Sequence, residues 1–333
     1  MIAGLITIKI IAGVTLMIVI TIVAILLDGV DRILHARMQR RYGPPLFQPF
    51  YDILKLLGKE NIVPRRAVRW IFMLAPWLAC SLTLLVFLYI PMGYIPSVLG
   101  TEGDMILILY LLGFSGVAMA MGGFASGNPI SSVGAGREIQ LMMSYELPLA
   151  VVVSTVAWVA WKTDMPGGPF CLDTYTGQSI WSVVGNAGFV GLMCLALSLI
   201  MVVPGETGKG PMDIPEAKTE ILDGFIIEYS GTNLALYKIT FALRSTAMAA
   251  VLTSIFFPFS IGGVFGLSGL FLGLIDFVGF WVKVVIVQLV FITVMRTMFG
   301  RLKIWQASHF YLVKVAMLSF AGMILISADI LMR

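Results

Sequence analysis

Residues 204–231 carry six acids, Glu206, Asp213, Glu216, Glu220, Asp223 and Glu228, against two lysines, Lys209 and Lys218. Carboxylates gathered so closely in a partly dry site titrate as a coupled set and hold protons that isolated acids release. The segment also permits a structural reading. Asp213 can be a helix N-cap, with Pro215 in the first turn and Glu216 completing a capping box. Glu216 and Glu220 would then stack as a like-charge pair at i, i+4. Pattern alone leaves solvated acidic loop and proton site equally open. A further acid, Glu146, stands at the start of an apolar stretch, two residues before Pro148. A carboxylate there is costly in hydrocarbon and faces the bundle interior or water, unless it serves a frayed helix end. Lys238, Arg244, Asp276, Lys283, His309 and Lys314 fall in or beside other apolar stretches. Lys238 and His309 are near enough to stretch ends to snorkel, whereas Arg244 and Lys283 lie several residues inside. Asp276 and Lys283, seven apart, share a helix face. Embedded charges of both signs suit a proton or ion relay.

The densest charge cluster lies at 31–60. Arg32, Arg37, Arg40 and Arg41 belong to a short basic helix that the Tyr-Gly-Pro-Pro run at 42–45 must break. Phe47, Phe50, Leu54 and Leu57 then recur at helical spacing and predict a second, amphipathic helix in the membrane interface, bearing Gln48, Asp52 and Lys55. The charge pattern fits a surface for anionic lipid and a docking platform for a water-soluble subunit equally well.

The elements that position these residues follow from composition. The chain has 333 residues, 59% of them hydrophobic and 12% charged, and a mean hydropathy of +0.96, far from the balance of a soluble domain. Windows near 4–27, 70–92, 105–125, 143–161, 183–203, 236–257, 271–295 and 309–330 are each long enough to cross a hydrocarbon core of about 30 Å. The expected fold is all-α: a polytopic bundle of eight transmembrane helices in a single membrane domain over 1–333, with interfacial amphipathic helices on its cytoplasmic face. The first stretch lacks a basic leader and a cleavage motif, so it reads as a retained anchor. Nine Lys and Arg residues between the first two stretches, with Arg137, Lys209, Lys218, Arg296, Arg301 and Lys303 on the same side, put both termini outside by the positive-inside rule. The pI near 8.9 thus reflects topology, and nucleic acid is no partner. Cys80, Cys171 and Cys194 are scattered, only His35 and His309 are present, and no dinucleotide or phosphate loop occurs. The chain by itself can hardly bind haem, an iron–sulfur cluster or another metal. The absence of internal repeats counts against a stand-alone ion transporter.

Taken together, these segments resemble the membrane subunit that anchors the peripheral arm of respiratory complex I, called subunit 1 or H. A basic helix ending Arg-Met-Gln-Arg-Arg-x-Gly-Pro is present at Arg32 to Pro44, and its continuation runs from Gln48 to Glu60. The family's Ser-Tyr-Glu is Ser144–Glu146, and its acidic loop ending Glu-Tyr-Ser-Gly runs from Pro211 to Gly231. Quinone-reducing members carry extra residues between Gly-Pro and Gln-Pro, a gap closed here by Gly43-Pro44-Pro45-Leu46-Phe47-Gln48. Trp305 stands where the family has Asp, and Lys218 where it has an acid. The compact turn is closer to the corresponding subunit of energy-converting membrane-bound NiFe hydrogenases. The resemblance implies a non-catalytic subunit in a prokaryotic inner membrane, binding no cofactor itself. Its partners would be a NiFe-hydrogenase-like large subunit, a small iron–sulfur subunit and antiporter-like membrane subunits. Arg32, Arg37, Arg40, Arg41, Gln48, Asp52 and Lys55, with the loops at 126–142 and 204–235, would seat the peripheral arm. Glu146, Asp213, Glu216, Glu220, Glu228, Lys238, Arg244 and Lys283 would couple its redox chemistry to proton or sodium movement. The quinone-reducing complex I subunit is the alternative the resemblance leaves open.

Overall fold

The computed structural model describes residues 2–93, 95–100, 103–165, 167–264 and 270–332. Helix α1 (Ile2–Met38) is about 55 Å long at 1.5 Å per residue, well beyond a bilayer core. It continues through the basic segment, where the sequence suggested a separate short helix. Nothing between Leu27 and Met38 breaks the helix, and Arg32 pairs with Asp28 one turn back at 2.9 Å. The chain leaves it at Arg40, whose φ is +57°, and turns through Gly43-Pro44-Pro45 into α2 (Gln48–Leu57). Pro49 stands in the first turn of α2, where its missing N–H costs nothing. Pro49 and Leu56 are buried, while Tyr51, Leu54 and Leu57 on the other side are exposed.

Helices α3 (Arg69–Val86) and α4 (Met105–Ala125) form an antiparallel pair. Gly127, at φ +71°, turns the chain into α5 (Pro129–Lys162), which Asn128 caps by accepting from the Ile130 N–H at 2.9 Å. The expected loop at 126–142 is therefore mostly helix, and Glu146 lies mid-helix instead of at a span end. The polar residues that lowered hydropathy there are turned inward: Glu138 is buried and Arg137 is half-buried. Pro148 sits inside α5 without ending it. After the short α6 (Asp173–Gly177) comes α7 (Asn186–Thr207), closed by Gly208 in the left-handed region. Its last turn carries Glu206, so this acid belongs to the span and not to the loop.

Between α7 and α9 lie only α8 (Lys218–Ile221) and a 3₁₀ turn at Gly224–Ile226. Ala217, not Asp213, precedes α8, so the capping box does not form and Glu216 and Glu220 are not stacked. Asp213 instead receives both arms of Arg301, at 2.8 and 2.5 Å, a stronger charge-assisted partner than a backbone amide. Helix α9 (Gly231–Phe256) runs through the middle of the bundle and is buried on every side from residue 242 to residue 256. It packs against α1, α2, α3, α7 and α11. After α10 (Ile261–Val264), α11 (Leu270–Gln288) passes through a π-helical turn, Leu289–Val294, into α12 (Met295–Met298). α13 (Ile304–His309) passes through a second such turn, Phe310–Val315, into α14 (Ala316–Met332), which packs along α7. Among the described residues, eight helical segments are long and apolar enough to cross a membrane, matching the eight windows. The protein is a multi-pass helical membrane bundle.

The 3₁₀ turn rests on α5 at Gly134, where an added Cβ would sit 2.6 Å from the Phe225 nitrogen. Gly134→Ala should therefore destabilise the fold by about 1–3 kcal/mol as the turn is pushed off α5. The check is the melting temperature of the purified membrane protein; no change would contradict the packing.

Candidate functional site

Arg244, 1% exposed, projects from α9 into the bundle and binds acids from two other helices. Its Nη1 lies 3.2 Å from Glu138 Oε1 on α5, and its Nη2 lies 2.9 Å from Glu206 Oε1 on α7. Nη2 also donates to the Tyr145 hydroxyl at 3.4 Å, and Nη1 faces the Met119 sulfur at 3.9 Å. One cation with two carboxylates leaves an uncompensated negative charge when both acids are ionised. Such a set can take up and release one proton without losing its guanidinium bridge.

Two further acids extend this set in opposite directions. Glu146, one residue beyond Tyr145, is exposed and lines a lateral groove of about 390 Å³ with Tyr110, Gly113, Leu149 and Phe170; Glu206 reaches the same groove. Gly113 makes the room: a Cβ there would stand 2.8 Å from Glu146 Oε1. Toward the basic end of the bundle, half-buried Glu216 is close enough to Glu138 to feel its charge. Burial, then Glu138, Asp223 and Asp213, push Glu216 up to about 8. Glu146, Glu206, Glu138 and Glu216 thus form a series from the side of the bundle to its basic end, with Arg244 in the centre.

A second ionic network ties α1, α2, α12 and the segment after α7. Fully buried Asp31 is 3.2 Å from Lys209 Nζ and 3.3 Å from Arg296 Nη1, and accepts from the Thr293 hydroxyl at 2.6 Å. Lys209 also reaches Asp28 at 3.3 Å, and Arg32 bridges Asp28 and Asp52 at 2.9 and 3.0 Å. Burial pulls the Lys209 ammonium down, but Asp31 and Asp28 outweigh it and hold it above its ordinary range. Lys238 lines a narrow cleft with Asp28, Arg32 and Asp52.

The residues expected for docking divide into two groups. Arg32, Gln48 and Asp52 are engaged with one another, Gln48 donating to Asp52 at 3.2 Å, and brace α2 against α1. Arg37, Arg40, Arg41 and Lys55 are exposed and make no ion pair among the described residues. Of the coupling candidates, Glu220 pairs with Arg137 at 2.7 Å, and Glu228 accepts from Asn128 at 2.5 Å. Lys283 donates to the carbonyls of Phe257 and Phe259 beyond the end of α9. That lies about 20 Å along α9 from Arg244, so the structure does not bring Lys283 into the central set. Sequence reasoning missed Glu138, and left Glu206 out of the coupling set. It used Lys209 and Arg296 only for orientation, and gave Asp28 and Asp31 no role. The available signal was Arg244 itself: a guanidinium deep in an apolar span requires acids from its neighbours. Among the described residues, no three His, Cys, Asp or Glu side chains are grouped to hold a metal ion.

The NADH dehydrogenase family profile matches residues 11–327. Formate hydrogenlyase subunit 4 of Escherichia coli is 30% identical over 253 residues, covering 76% of this chain and 79% of that protein. The H-type subunit of NADH-quinone oxidoreductase from Syntrophotalea carbinolica is 31% identical over 270 residues, 76% of this chain and 77% of the relative. Hydrogenase-4 component C of Escherichia coli is 31% identical over 70% of this chain and 71% of its own length. Among solved structures, a chain of the membrane-bound sulfane sulfur reductase, an archaeal respiratory membrane complex, superposes with a TM-score of 0.80 at 29% identity, covering 95% of this chain and 98% of that one.

Glu216 binds its proton more tightly in the folded protein than a free carboxylate does, at about 8 against 4.5. Its contribution to the loop's stability is therefore full below the lower value and is lost as pH rises through the upper one. Amide hydrogen exchange over 208–230 should speed up between about pH 5 and about pH 9 beyond the intrinsic chemical rate, and Glu216→Gln should flatten that extra slope. An identical slope in the variant would show that another group sets it.

Proposed function

This chain belongs to the NADH dehydrogenase family, and on that premise we propose that it is a non-catalytic membrane subunit of a complex I-like redox-driven ion pump of the energy-converting hydrogenase type. In this reading the basic end of the bundle is cytoplasmic, both termini are outside, and the membrane is a prokaryotic inner membrane. A NiFe-hydrogenase-like large subunit and a small iron–sulfur subunit sit on the cytoplasmic end, carrying the metal centres. Arg37, Arg40, Arg41 and Lys55 are the free cations that meet them. Beside these lies a cleft of about 560 Å³ between α1, the acidic loop and residues 296–303, lined by His35, Gln39, Arg296 and Arg301.

The observation that carries the coupling role is the Arg244 bridge. It stands between Glu216, under the proposed seat, and Glu146, which opens sideways toward a neighbouring membrane subunit. Negative charge added above the seat by redox centres in those partners would favour protonation of Glu216 and Glu138. That weakens one arm of the Arg244 bridge and strengthens the pull on Glu206, so the disturbance arrives at the groove of Glu146 as a change of field. Antiporter-like subunits packed on that groove then convert it into proton or sodium movement. Lys238, Asp213, Glu220 and Glu228 act at the margins of this series, and Lys283 holds the far end of α9 for the same helix.

The likeness to the sulfane sulfur reductase chain favours a second reading, in which the same membrane subunit supports a sulfur-reducing arm. Metal analysis of the native complex separates the two: nickel with iron supports the hydrogenase, and iron without nickel removes it. The directly joined Gly43-Pro44-Pro45 turn argues against a quinone-reducing arm.

Two outcomes follow in the assembled complex. Glu206→Gln should lower the ions moved per electron pair by roughly ten-fold, the size of a site-to-site coupling; vesicle flux at the wild-type ratio would contradict the coupling role. Arg37→Glu with Arg40→Glu should release the peripheral arm on purification, and an arm that co-purifies in full would contradict the seat.

A further inference from the structure

Among the buried polar atoms without a partner is Oε1 of Gln288, whose residue is 2% exposed. Its amide nitrogen donates to the Ser245 hydroxyl at 3.4 Å, and Ser245 directly follows Arg244 on α9. Five residues later, the Thr293 hydroxyl donates to Asp31 at 2.6 Å, and Arg296 pairs with the same carboxylate. One helix thus touches the Asp31–Lys209 network through Thr293 and Arg296 and, through Gln288, the residue that follows Arg244 on α9. The backbone between the two contacts is the π-helical turn Leu289–Val294.

The geometry explains why the turn is widened there. In an α-helix, five residues rotate the chain by about 500°, leaving positions 288 and 293 roughly 140° apart. The i→i+5 bonding of a π turn takes more residues per turn and brings the two positions back toward one side. The widened turn lies between the bond to Ser245 on α9 and the bond to Asp31 on α1. Extending the coupling reading above and resting on it, we propose that Gln288 and Thr293 are positioning residues that link the Arg244 bridge to the Asp31–Lys209 network through this π turn.

The link acts through hydrogen bonds and helix rotation. A change of charge on Glu138 or Glu206 shifts Arg244 and, with it, Ser245. Gln288 follows, and rotation of the widened turn moves Thr293 and Arg296 against Asp31. The unpartnered Oε1 gives the Gln288 amide a second bonding position, because a buried acceptor without a donor gains when one comes within reach. Charge changes beneath the seat would then reach α1 and α2, which carry or flank the exposed Arg37, Arg40, Arg41 and Lys55, as well as the lateral groove.

The test uses the purified whole complex in sealed vesicles and reads ions moved per electron pair. Gln288→Leu removes donor and acceptor at similar volume, and Thr293→Val removes the hydroxyl. Each should lower the ratio at least about five-fold, the lower end of coupling between distinct sites, whereas Thr293→Ser, which keeps the hydroxyl, should hold the wild-type ratio. A wild-type ratio in Gln288→Leu beside a lost ratio in Glu206→Gln overturns the link alone. A wild-type ratio in Glu206→Gln overturns the carboxylate series and the link together. Where Gln288→Leu does not assemble, a high-resolution map of the wild-type complex decides: a π turn at 289–294 with Gln288 on Ser245 supports the link, and a regular α-helix there overturns it.

Discussion

The structure depends on one buried guanidinium. Arg244 lies in the middle of the most enclosed helix, where an unpaired cation cannot be accommodated, so α5 and α7 must each deliver an acid to it. Removing Arg244 would strand two buried carboxylates without their cation and cost about 3–5 kcal/mol, a large share of the net stability of many domains. That requirement fixes more than two side chains. It sets the rotation of α5 about its axis, so that Glu138 and Tyr145 face inward while Glu146 faces outward. It also requires α7 to continue one turn beyond its last aliphatic residue, so that Glu206 is helical and not part of the loop.

Charge is distributed unequally along the bundle, and the inequality is informative. At the basic end, Asp28, Asp31, Asp52, Lys209, Arg32 and Arg296 bind side chain to side chain across four segments. At the other end, Asp276 accepts from the Ser260 hydroxyl and the Gly262 amide, and Lys283 satisfies two carbonyls, so these charges serve as backbone caps. Networks in which each ion has several partners can redistribute charge when one member changes; caps of a frayed helix end cannot. Among the described residues, an ionic network whose members share charged partners lies at the basic end.

Much of this was legible in the sequence. The eight spans were found from hydropathy because a long apolar stretch raises the window average whether its side chains meet lipid or the bundle interior. The same average failed at 129–142, since Arg137, Glu138 and Gln140 read as loop while the helix carries Glu138 to a partner 106 positions away. The acidic loop stood out by its composition, but its internal order did not. Asp213 has the residue type and spacing of an N-cap, and only the fold brings Arg301 to it from 88 residues on. Arg244 was singled out correctly as unusual; its partners were not, because pairing depends on helix rotation, which periodicity within a single buried helix does not record. The π turns left no mark in the pattern either.

Glu146 extends the same logic to the flank of the bundle. It projects from the middle of a spanning helix into an open groove whose other walls are mostly apolar. A carboxylate at that depth in contact with lipid would cost about 2.5–3.5 kcal/mol even on insertion-based scales. The bundle has inward positions for acids and uses them for Glu138 and Glu206, so the outward placement is not forced by lack of room. The outward acid marks a groove that the bundle itself leaves open. The surface that completes it must bring water, a proton path or a hydrogen-bond donor to Glu146. In the proposed assembly a neighbouring membrane subunit does this.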